Sequence, residues 1–100
     1  MSLYALIGLD REDSLAARLK VRDEHLARLR ELLDDGRLVI AGPFPAVDAD
    51  EPTPAGFEGT LIIAEFDSLE QAFQWLEADP YVTTGVFVSY QVRPFIQVLP

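Results

Sequence analysis

RLKVRDEHLARLRELL, residues 18–33, is the stretch from which the rest of the chain can be read. It has the pattern of one amphipathic helix and holds the only histidine, His25. Leu15, Leu19, Leu26, Leu29 and Leu33 recur at helical spacing and predict a single apolar stripe. Arg22 falls inside that stripe, where another leucine would be expected, while Arg18 and His25 lie on one flank with Val21 and Leu32. Two readings stay open. Arg22 lays its stem along the core and keeps its head in water, with His25 a half-buried surface residue. Alternatively, the face gives up apolar contact for a function.

Charge sharpens the second reading. The chain carries 17 acidic and 8 basic residues, a net charge of −9. Such a balance argues against nucleic acid or an anionic membrane as a partner over any broad surface. Five of the eight basic residues nevertheless lie between Arg18 and Arg30, and none lies between residues 38 and 92. The helix is a local island of positive charge, either paired along its surface with Asp23, Glu24 and Glu31 or open to a small anion.

The surrounding chain supplies strands. Ser2 to Leu9 is short, apolar on both faces and predicts a strand that wants cover on both sides. Asp10 to Ser14 breaks it and offers caps for the helix. Asp34-Asp35-Gly36 ends the helix, with Gly36 suited to a left-handed C′ position. Arg37 to Phe44 predicts a second strand closed by Gly42-Pro43, since proline cannot donate to a ladder. Residues 45–56, rich in proline, alanine and acid, predict a mobile excursion at a hairpin. Phe57 to Phe66 predicts the third strand. Ser68-Leu-Glu-Gln71 is a capping-box pattern that opens a second helix through Leu76 and Ala78, with Phe73 and Trp75 as core or interface residues. Val86 to Phe95 predicts a last strand.

The order β-α-β-β-α-β is the ferredoxin-like pattern, an α+β fold with two helices on one face of a four-stranded antiparallel sheet. Nothing is left to cover the other face. A second copy of the sheet is the simplest cover, which predicts a homodimer joined sheet to sheet.

The 100 residues predict one domain spanning 1–100. An apolar content of 49% lies above the range of disordered chains. Runs such as Leu61 to Ala64 are far shorter than the ~20 residues of a membrane span. The N-terminus has no signal-peptide pattern, so a cytoplasmic location is expected. Cysteine is absent, which removes disulfides and thiol chemistry.

Several landmarks recur in a fixed order: Arg22-x-x-His25-Leu26, Asp35-Gly36-x-Leu38, Ala41-Gly42-Pro43, a glycine before the third strand, Ser68-Leu-Glu-Gln-Ala72 and Asp79-Pro80-Tyr81. Together they resemble the YciI-like (YCII-related) family of small dimeric α+β barrel proteins, over residues 2–95. The resemblance implies dimerisation through the sheets and an active site built on a histidine–aspartate pair, here His25 and Asp79. By position it also implies Arg22, Gly42, Pro43 and Tyr81 around the family's cleft. It implies no cofactor. The segment 45–56 is longer than a tight family hairpin, long enough to lie over that cleft.

Asp79-Pro80 also has a local explanation, as an N-cap followed by proline at the first position of a short helix. No metal-ligand spacing is present, no phosphate loop, and no serine or threonine in a nucleophile motif. Two classes of function remain. One is a cofactor-independent enzyme using His25 as a proton shuttle on a small anionic metabolite; the resemblance implies Asp79 as its partner and a lyase, dehydrochlorinase or isomerase type of reaction. The other is a non-catalytic small-molecule-binding or assembly module.

Overall fold

The computed structural model describes residues 1–51 and 54–100; Pro52 and Thr53, inside the expected 45–56 excursion, lie outside the described residues. The elements run β1 (Ser2–Asp10), α1 (Leu15–Asp34), β2 (Leu38–Pro45), β3 (Phe57–Phe66), α2 (Leu69–Glu77), α3 (Pro80–Thr83) and β4 (Phe87–Phe95). The four strands form one antiparallel sheet in the order β2-β3-β1-β4. This is the expected ferredoxin-like α+β arrangement with one short helix, α3, added.

Local chemistry explains the boundaries. Gly36 has φ +71°, and the Gly36 and Arg37 amides bond to the Leu33 and Leu32 carbonyls, a complete Schellman stop for α1. That use of the Arg37 amide delays β2 to Leu38. Ser68 caps α2 by accepting from the Gln71 amide at 3.1 Å. Pro43 does not close β2 as expected: it pairs with Thr60, and the strand continues to Pro45. Because β2 is an edge strand, a residue without an N–H is tolerated there.

All three helices pack on one face of the sheet. Leu29 and Leu32 of α1, Ala72 and Leu76 of α2 and Tyr81 of α3 join Tyr4, Leu6, Ile62, Ala64 and Phe66 in a single core. The opposite sheet face presents Leu9, Ile40, Phe44, Val88 and Phe95, all exposed, and no described element covers it.

Helix α1 corrects the expected stripe. Its buried residues are Arg18, His25, Leu29 and Leu32. Leu19 and Leu33 are 54% and 58% exposed, and Arg22 is exposed as well. The helix is turned by roughly a quarter turn from the orientation the leucines suggest. Turning it places arginine and histidine inside, which is tolerable only because each meets a carboxylate there.

Gly8 in β1 marks the tightest contact. A β carbon at this position would overlap the Phe87 ring, which packs edge-on against Tyr81 at 5.6 Å. Gly8→Ala should therefore cost about 1–3 kcal/mol of stability, read as a lower urea midpoint with an unchanged slope. An unchanged midpoint would mean that the Phe87 ring has room to move aside.

Candidate functional site

Asp79 is the fixed point of the site, and its position follows from local chain chemistry. Its backbone is extended, its Oδ1 accepts from the Tyr81 amide at 2.9 Å, and Pro80 occupies the first turn of α3. The carboxylate is fully buried. Both of its oxygens lie within hydrogen-bond reach of His25 Nδ1, at 3.0 and 2.9 Å. Oδ2 also accepts from Arg28 Nη1 at 2.9 Å, while Arg28 Nη2 donates to the Trp75 carbonyl at 2.8 Å. The Arg28 guanidinium lies over the Trp75 ring at 4.1 Å. One aspartate thus caps a helix, pairs with an arginine and orients a histidine.

A carboxylate that accepts from the Tyr81 amide and from Arg28 is an acceptor toward His25 too. Nδ1 therefore carries the proton of that contact. The other ring nitrogen, Nε2, has no hydrogen-bond partner among the described residues. The imidazole stacks on the Tyr81 ring, with centroids 4.1 Å apart and planes 23° apart.

Seven residues before His25, and so on the same helix face, Arg18 is 4% exposed. It grips the buried Asp10 carboxylate through Nε at 2.9 Å and Nη2 at 3.0 Å. Nη2 also reaches the Gly59 carbonyl at 3.0 Å and Thr60 Oγ1 at 2.6 Å. Ser14 Oγ donates to the same Asp10 at 2.6 Å. The Arg18 guanidinium lies over the Tyr81 ring at 4.5 Å. Burial raises the pKa of the Tyr81 phenol above its ordinary value, and the adjacent Arg18 only partly opposes this. The phenol therefore keeps its proton at neutral pH.

These groups surround a cavity of about 230 Å³ between α1, the end of β2 and β3. Of the residues singled out from the sequence, Arg22, His25, Gly42, Pro43 and Tyr81 line it, and Asp79 stands behind His25. Arg22 is at the exposed rim rather than inside an apolar stripe. None of the described residues of 45–56 lines the cavity. Pro54, Ala55 and Gly56 instead lie beside the start of α1, and the Ala46 amide donates to the Gly56 carbonyl at 3.0 Å. Sequence reasoning counted Arg18 only within the cationic cluster of the helix, and gave no role in the site to Phe57 and Thr60 on the cavity wall or to Asp10 and Arg28 behind it. The i, i+7 relation of Arg18 to His25 and the i, i+3 relation of Arg28 were the available signals.

The YCII-related domain matches residues 2–96. The chain belongs to that family. It is 54% identical over 96 residues to Protein YciI of Escherichia coli O6:H1, covering 96% of this chain and 98% of that protein. Protein YciI of Shigella flexneri matches to the same extent. An uncharacterized protein of Haemophilus influenzae is 44% identical over 95 residues, 95% of this chain and 97% of that one. Among solved structures, 5-chloro-2-hydroxyhydroquinone dehydrochlorinase (TftG) from Burkholderia phenoliruptrix AC1100, in complex with 2,5-dihydroxybenzoquinone, superposes with a TM-score of 0.82. The match covers 94% of this chain and 93% of that one at 24% identity, a likeness of fold.

The Asp79 contact fixes the tautomer of His25. In long-range ¹H–¹⁵N spectra of the neutral imidazole, Nδ1 should show the protonated pattern and Nε2 the bare one. The reverse pattern would show that Asp79 does not hold the ring as described.

Proposed function

We propose that this protein is a cofactor-independent enzyme in which His25 is the general acid and base and Asp79 orients it. The observation that carries the reading is the buried His25–Asp79 contact, which leaves Nε2 without a partner among the described residues on the wall of a cavity. Histidine takes and gives protons near neutral pH, and a carboxylate on the opposite nitrogen holds the ring in one orientation and tautomer.

The substrate is a small anion, with Arg22 at the rim as its first contact and Gly42, Pro43 and Tyr81 shaping the walls. Nε2 removes a proton from carbon next to a carbonyl or carboxylate. The electron pair left behind either expels a leaving group on the next carbon, giving elimination, or is reprotonated elsewhere, giving isomerisation. The dehydrochlorinase of similar fold supports the first course.

A second reading has its own observation. Asp79 already caps α3 and pairs with Arg28, so its burial is explained without catalysis, and the cavity then only binds. The two readings separate in one experiment. Small carboxylates, keto acids and hydroxylated ring compounds that raise the melting temperature are incubated with the protein in D₂O, and loss of C–H signal is followed by NMR. Wild-type protein should exchange or convert at least one of them. His25→Ala should lower that rate by about 10²–10⁴-fold while remaining folded, and Asp79→Asn by less. Ligands that bind but neither exchange nor react would establish the binding module instead.

The uncovered sheet face belongs to the same proposal. All three helices lie on the other side, and Leu9, Ile40, Phe44, Val88 and Phe95 are exposed. A second copy laid sheet to sheet covers both faces at once. Light scattering at micromolar concentration should give twice the 11.1 kDa chain mass; a monomer would refute the pairing.

A further inference from the structure

We infer that Arg18, rather than the exposed Arg22, supplies the donor for a single substrate oxyanion through its Nη1 nitrogen, and that the ligand is a planar enolate or phenolate. The inference rests on the acid–base reading above and names the substrate class for that site.

The donors of Arg18 are almost all committed. A guanidinium has five N–H groups: one on Nε and two on each terminal nitrogen. Nε is bonded to Asp10, and Nη2 is shared among Asp10, the Gly59 carbonyl and Thr60. Among the described residues only the Tyr81 phenol competes for what remains, Nη1. No side-chain nitrogen among them is both sealed from solvent and without a partner. Nη1 of this almost wholly buried residue therefore opens on the cavity that Arg18 lines.

The geometry selects the ligand. With Nε and Nη2 committed to Asp10, neither two-nitrogen edge of the guanidinium is free to grip a carboxylate in bidentate fashion. One nitrogen remains, suited to one oxygen. Phe57 and Tyr81 place aromatic side chains on the cavity wall beside that nitrogen. When Nε2 of His25 takes the proton, the C–H electron pair forms a carbon–carbon double bond and the carbonyl pair moves onto oxygen. Negative charge then gathers on the atom Nη1 faces. Asp10, Thr60 and the Gly59 carbonyl hold the donor before any substrate arrives, so little reorganisation is needed as that charge develops. Arg22, exposed and without such partners among the described residues, is suited to attracting an anion to the rim.

The probe is 4-nitrophenolate, a flat ring with one ionised oxygen, and binding is read by its absorbance and by NMR on unmodified protein. Binding should shift the Arg18 Nη1 resonances more than Nε. Arg18→Lys keeps the charge beside Asp10 but removes Nη1, and should weaken binding about ten- to a hundredfold. Where that variant fails to fold, the pair Arg18→Gln with Asp10→Asn removes both charges together, and the wild-type spectrum decides independently of either. Arg22→Ala should weaken binding only a few-fold. The inference is overturned if 4-nitrophenolate does not bind, if Nη1 is undisturbed on binding, or if a folded Arg18 variant binds as well as wild type. Loss of the acid–base reading shows differently: no deuterium enters any ligand while the Nη1 shift persists.

Discussion

Two buried carboxylates set the arrangement of this molecule. Asp10 ends β1 and Asp79 begins α3, and both reach the inward face of α1, where Arg18 and His25 wait one above the other. Moving a charged side chain out of water costs several kcal/mol unless a partner and hydrogen bonds compensate it. The orientation of α1 about its own axis is therefore governed by where these carboxylates are, more than by where its leucines are. Leu19 and Leu33 lose cover so that Arg18 and His25 can find theirs.

Stability alone gives little reason for such pairs. Replacing a buried ion pair with well-packed apolar residues is often neutral or favourable. What they provide is geometry. Asp79 is held by the Tyr81 amide and by Arg28, so the imidazole it contacts has one orientation and one free nitrogen. Asp10, Thr60 and the Gly59 carbonyl do the same for the Arg18 guanidinium. The two held groups share Tyr81, which stacks on His25 and lies beneath Arg18. The Phe87 ring braces Tyr81, and the ring has space only because residue 8 is glycine. A contact in the sheet is thus linked to the wall of the cavity.

The charges balance in an instructive way. Asp10 offsets Arg18 and Asp79 offsets Arg28, which leaves Arg22 as the cavity-lining arginine without an ion pair among the described residues. In a chain whose net charge is −9, a cavity lined by arginine is a local reversal of sign.

The fold was legible because it depends on local, periodic information. Alternating strands, a Gly36 stop and the Ser68 cap are short-range effects that act wherever the chain goes, and together they dictate the element order. The candidate dyad was legible only through a family resemblance, since His25 and Asp79 are 54 residues apart. The rotation of α1 was not legible at all. Its leucine stripe predicts one buried face by apolar area, and the true face is decided by partners that arrive from β1, β3 and α3. Arg22 was misplaced and Arg18 undervalued for that reason. By itself the sequence determined the elements, their order and the charge that marks one helix. Only the tertiary structure decided which side of that helix is inside, because the energy of a buried charge depends on groups far away in the chain.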